Sequence, residues 1–146
     1  MNIIRCCAAL SLFSVMVFTP AKAEQAPSQI DGPYWIADQT GCLAANPAPQ
    51  ENEHVEWTGG CENGKLSGDG VLTWYQNGEV IGRDEGTFAE GSLTGHGTIT
   101  MGDGATYVGG FPGSGTFTLP SGLALPAQTV RENTGWRIEQ VRETGS

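Results

Sequence analysis

The glycines of this chain recur on a fixed spacing, and that spacing limits the fold more than any other feature. Gly59, Cys61, Gly64, Gly68 and Gly70 return 27 residues later as Gly86, Phe88, Gly91, Gly95 and Gly97. A shortened third copy starts 23 residues after the second, at Gly109 and Phe111, drops five residues, and resumes with Gly113-Ser114-Gly115. With 22 glycines among 146 residues, such a chain builds strands and turns more readily than long helices, because glycine weakens helix interiors. Self-similarity at this period marks units that bury their apolar face only by stacking on one another.

The segments that follow each Gly-x-Gly sharpen the expectation. Val71-Leu72-Thr73-Trp74, Thr98-Ile99-Thr100-Met101 and Thr116-Phe117-Thr118-Leu119 all alternate with period two, the mark of a strand with one buried face. Leu72, Ile99 and Phe117 form one apolar column, and Trp74, Met101 and Leu119 the next. The opposite face is mostly threonine. Each strand runs into a turn, at Asn77-Gly78, Asp103-Gly104 and Ser121-Gly122, where glycine supplies the positive φ that hairpins need. A third column, Cys61, Phe88 and Phe111, is spaced by Gly59, Gly86 and Gly109, where a missing Cβ lets aromatic rings lie across the backbone. The chain is therefore expected to be all-β, a repeat sheet of about three hairpins.

The pattern resembles the MORN repeat, whose units run roughly Tyr-x-Gly-x-Phe-x-x-Gly-x-x-x-Gly-x-Gly. The matching stretches run from Trp57 to Gly70, from Glu85 to Gly97, and from Tyr107 to Phe111 followed by Gly113-Ser114-Gly115. The resemblance covers residues 57–122, in units 57–83, 84–106 and 107–122. It implies a single-layer antiparallel sheet of stacked hairpins and a role as an interaction or scaffold part. There are departures: Asp84 stands where the leading aromatic belongs, Cys61 replaces the Phe, and Glu79–Arg83 enlarge the first connection.

Residues 1–23 read as an export signal. Arg5 is the positive start, Cys6 to Phe18 the apolar run, and Ala21-Lys22-Ala23 an A-x-A site, with cleavage expected after Ala23. Cleavage would remove Arg5, Lys22 and no acid, moving the net charge from −9 to −11. It would also leave Cys42 and Cys61 alone, and in an oxidising compartment these most simply form one structural bridge, worth ~3 kcal/mol. That bridge would pin residues 24–56 over the first repeat as an N-terminal cap, with Tyr34-Trp35-Ile36 as a short strand and Asn46-Pro47-Ala48-Pro49 as a loop. Residues 123–135 are ambiguous. Trp136 to Val141 alternates like a final edge strand, with a short helix as the alternative, so 123–146 is expected to hold a C-terminal cap strand and tail.

No recognisable catalytic set is present, so the chain is expected not to be an enzyme, and to use neither metal nor cofactor. Asp69, His96 and Ser114 fall at equivalent places near the Gly-x-Gly turns, where polar residues ordinarily face water. His54 and His96 are too few for a zinc site. The aromatics carry the better argument. Most should serve the core, but Trp57, Tyr75 and Tyr107 could line a groove for a partner. The acidic balance argues against nucleic acid. Across 57–122 only Lys65 and Arg83 stand against seven acids, which opposes adsorption to anionic membranes. The expectation is a periplasmic or secreted binding or scaffolding module. Its first-choice partner is a protein, with a glycan or lipid next. Alternatives are a secreted host-directed effector, a ligand- or lipid-binding protein and, last, a small envelope hydrolase.

Overall fold

The computed structural model describes residues 34–132 and 135–141; the expected export signal, the leader after it and the end of the tail lie outside them. Eleven strands follow one another: β1 (Tyr34–Ala37), β2 (Leu43–Asn46), β3 (Glu53–Trp57), β4 (Gly60–Glu62), β5 (Lys65–Gln76), β6 (Glu79–Ala89), β7 (Ser92–Met101), β8 (Thr106–Phe111), β9 (Gly113–Thr118), β10 (Ala124–Glu132) and β11 (Gly135–Gln140). There is no helix among the described residues, so the all-β expectation holds. The ambiguous segment after Gly122 is strand β10, and the last alternating stretch is the strand β11 rather than a helix.

All eleven strands join one sheet, ordered β1-β2-β5-β6-β7-β8-β9-β10-β11, with β3 and β4 both pairing with β5. Three of its hairpins turn on two residues with positive φ: Asn63-Gly64 (51°, 75°), Asn77-Gly78 (51°, 82°) and Glu90-Gly91 (50°, 80°). Those pairs match the twist of the strands they join, which is why Gly stands second in all three and Asn first in two. The strands run through the unit boundaries expected at 83/84 and 106/107, since β6 spans the first and β8 the second.

The registers explain the glycine repeat. Gly70, Gly86, Gly97, Gly109 and Gly115 pair in series across β5 to β9, forming one row on the inner face. Large side chains lie over that row. A Cβ at Gly70 would sit 2.6 Å from the Trp57 ring, one at Gly97 3.1 Å from the Leu93 methyls, and one at Gly115 2.7 Å from the Tyr107 ring. The next row reads Trp57, Leu72, Asp84, Ile99, Tyr107, Phe117 and Leu125. Leu72, Ile99 and Phe117 thus share a row, as expected, but with Asp84 and Tyr107 between them. Trp57, Leu66, Leu72, Phe88, Leu93, Tyr107 and Phe111 are all buried. Cys61 is exposed as a residue, so the third expected column holds its apolar place only at Phe88 and Phe111.

Two expectations about the sheet need correction. It is not wholly antiparallel, because β2 pairs with β5 in parallel at Leu43 and Lys65. Nor is it a plain open layer, because it curls and packs its flanks onto its own inner face. Register shifts between Trp74 and Tyr75 and between Gly86 and Thr87 add twist where the curl is needed. From the N-terminal side the Cys42–Cys61 disulfide forms as expected, with Cα atoms 6.1 Å apart, and Ala45 N–H bonds to the Gly91 carbonyl at 2.8 Å. From the C-terminal side the Trp136 indole donates to the Leu93 carbonyl at 2.9 Å. The two flanks meet where a Cβ on Gly135 would lie 2.8 Å from Pro47.

Candidate functional site

The curl forms an open-mouthed cavity of about 480 Å³ between the inner face of β5–β7 and the two flanks. Leu72 and Trp74 from β5, Phe88 from β6, and Ile99 and Met101 from β7 make an apolar floor. Pro47, Ala48 and Trp136 contribute from the flanks. The space exists because of Gly82, which pairs with both Trp74 and Met101 and brings no side chain of its own to the row. That volume is in the range of small-molecule sites, which are mostly apolar with a few placed polar groups.

The placed polar group is Asp84. It sits mid-strand in β6, paired with Leu72 on one side and Ile99 on the other, the one charged residue in an otherwise apolar row. Strand alternation turns it inward, whereas Arg83 and Glu85 face out. The Trp74 indole N–H donates to Asp84 Oδ2 at 2.9 Å. No donor among the described residues reaches Oδ1, and this oxygen is not sealed from solvent, so it opens onto the cavity. Burial pushes the carboxyl up to about 6, with the Trp74 hydrogen bond pulling the other way. A second carboxylate, Glu53, belongs to the cavity wall. Its Oε2 accepts from Asn46 Nδ2 at 2.6 Å and from the Gln50 backbone N–H at 3.3 Å. Among the described residues no Lys or Arg lines the cavity.

The residues singled out from the sequence lie elsewhere. Trp57 and Tyr107, two of the three candidate groove aromatics, are 5% and 0% exposed and belong to the core. Each lies on the inner face over the glycine row. The Trp57 indole donates to the Gly60 carbonyl at 2.8 Å, and the Tyr107 hydroxyl to that of Gly113 at 3.0 Å. Tyr75 is half-buried on the other face, stacked on His54 with ring centres 4.4 Å apart, and its hydroxyl donates to Glu56 at 2.9 Å. That hydrogen bond raises the Tyr75 pKa above its ordinary value.

Asp69, His96 and Ser114 stand on β5, β7 and β9, with β6 and β8 between them. Residues two strands apart are separated by roughly 9–10 Å, too far to exchange a proton directly. Asp69 instead accepts from the Thr87 hydroxyl. Among the described residues no group of three His, Cys, Asp or Glu side chains is placed to hold a metal ion.

Sequence reasoning named Asp84 only as a departure from the repeat. The signal was there: a carboxylate had replaced an aromatic at an inward-facing position. No protein-family model matches the chain, and no curated protein matches it either.

Proposed function

We propose that this chain is a non-catalytic binding module whose curled inner face holds a small, largely apolar ligand. The observation that carries this reading is the cavity of about 480 Å³, with an apolar floor and the open Oδ1 of Asp84 set into it. A side chain as costly to bury as Asp84, in a row that otherwise packs as core, is better explained by a ligand than by stability. The Cys42–Cys61 bridge is compatible with an exported protein working in an oxidising compartment, the periplasm or outside the cell. The resemblance to MORN repeats supports an interaction role over a catalytic one.

A protein-scaffold role is the second reading. It is favoured by Tyr34 and Trp35, 39% and 40% exposed on β1 at one end of the sheet.

The test is a titration with N-phenyl-1-naphthylamine, a neutral apolar fluorophore, read by its own emission and by quenching of the tryptophans. Saturable one-to-one binding is expected. Gly82→Leu should abolish it by filling the cavity, since a Cβ at Gly82 meets only the Thr100 carbonyl at 3.3 Å and the Trp74 ring at 4.0 Å. Thr116→Leu, on the exposed face, should leave it intact. Absence of saturable binding, or equal binding by Gly82→Leu, would sink the ligand reading and turn attention to the β1 edge.

A further inference from the structure

We propose that the ligand is an organic cation: an ammonium group on an apolar body, with the ammonium held by Asp84 Oδ1. This rests on the cavity being a ligand site and goes on to name the chemistry that fits it.

Three features of the wall select that class. The first is the open oxygen. Asp84 Oδ2 is occupied by the Trp74 indole, which fixes the carboxyl group and leaves Oδ1 facing the cavity as an acceptor. An ionised carboxylate with one oxygen pre-positioned by a neighbour loses little freedom when a donor arrives on the other. The second is the charge balance. Asp84 and Glu53 are both acids, and among the described residues no basic side chain lines the cavity to neutralise either. A ligand carboxylate or phosphate would meet like charge against an apolar floor, whereas an ammonium would supply the missing counter-charge. The third is the aromatic content. Trp74, Phe88 and Trp136 line the same space, and aromatic surfaces are the apolar groups that tolerate a cation best. The rest of the floor, Leu72, Ile99 and Met101, leaves room for hydrocarbon.

Of the two carboxylates, Asp84 is the one that grips. Glu53 also keeps an oxygen, Oε1, that no donor among the described residues reaches, but it stands beside the cap loop, where Asn46 and the Gln50 backbone hold its Oε2. Asp84 holds no loop and joins no ion pair among the described residues. Its burial opposes its charge, and an arriving cation removes that opposition. The net charge of −9 adds a long-range field that draws cations towards the molecule and repels anions.

The experiment compares three ligands of one shape on the intact protein by calorimetry at pH 8: 4-phenylbutylamine, 4-phenylbutanol and 5-phenylpentanoate. The amine should bind about tenfold more tightly than the alcohol, as expected of a hydrogen bond to a charged partner, and the carboxylate more weakly than both. Asp84→Asn should bring amine and alcohol to within about twofold of each other, while Glu53→Gln should keep most of the amine preference. Thermal unfolding of each variant shows that it is folded. Equal binding of amine and alcohol by the unaltered protein overturns the assignment. So does an amine preference that survives in Asp84→Asn. If the alcohol and the neutral naphthyl probe bind but the amine gains nothing, the cavity reading stands and the cation inference falls. If none of them binds, both fall together.

Discussion

Two regions of this molecule bury a carboxylate, and they do it in opposite ways. At the cap corner, Asp38 Oδ1 accepts three hydrogen bonds: from the Thr40 N–H at 2.8 Å, the Thr40 hydroxyl at 2.7 Å and the Cys42 N–H at 2.8 Å. Burial works against its charge, but these donors outweigh it and hold its pKa below the ordinary value. On the cavity floor, Asp84 has one donor and one open oxygen, and burial wins. The first carboxylate is structural: the fold supplies everything it needs. The second is left wanting a partner, and that is the physical signature of a site whose remaining partner comes from outside.

The largest expected effect breaks the structural side. Asp38→Ala should cost about 3 kcal/mol in urea unfolding, because it strands the buried Cys42 N–H and releases the turn that leads into β2. A loss below about 1 kcal/mol would mean the corner is held by other contacts. The same corner carries the disulfide. Cys61→Ser should cost a comparable ~3 kcal/mol, the loop-closure entropy of a 19-residue separation, and should loosen the cap over the cavity. The check is unfolding together with binding of the naphthyl probe. If stability falls while the probe still binds with full affinity, the cap is not needed to form the site.

Much of the fold was legible because glycine spacing and strand alternation are local. The period of the glycines, the three apolar-alternating strands and the Asn-Gly turn at 77–78 all lie within short stretches of chain, and the structure keeps each of them. Alternation also held an answer that went unread. Tyr107 shares parity with the row glycine Gly109 on β8, and Trp57 with the buried Val55 on β3, so both face the core. Tyr75 shares parity with Thr73 and faces away. The cavity was not legible, because it arises from contacts far apart in sequence. Pro47 meets Gly135, Ala45 bonds to Gly91, and Trp136 reaches back to Leu93. The parallel pairing of β2 with β5 was hidden for the same reason: nothing in the short strand Leu43–Asn46 specifies its direction against a neighbour. Asp84 stood between these cases. It was visible as the wrong residue in a repeat, but only the register placed it between Leu72 and Ile99 under a roof.

The smallest expected effect is also the most diagnostic, because it has opposite signs at the two carboxylates. Asp84 titrates at about 6 in the folded protein against an ordinary 3.8, so the native state binds the extra proton between those values. Stability contributed at that position therefore falls as pH rises from about 4 through 6, and the ionised form is the costly one at neutral pH. Asp84→Asn removes that cost while its amide oxygen can still accept from Trp74. The variant should be more stable than the unaltered protein by on the order of 1–2 kcal/mol at pH 7.5, less than the full shift because Oδ1 is open to the cavity, and by almost nothing at pH 4. Asp38 runs the other way. Its folded pKa lies below the unfolded one, so its contribution is present at neutral pH and is lost as the solution is acidified below about 4. Unfolding curves of the unaltered protein, Asp38→Ala and Asp84→Asn at several pH values between 3 and 8 measure both differences, and groups common to all three cancel. If Asp84→Asn loses stability at pH 7.5, its carboxylate is a support like Asp38 and the contrast between the two regions disappears. If it gains stability while losing the preference for amine over alcohol, the chain carries a charge on its inner face at a cost to its own fold, and ligand binding is what that charge serves.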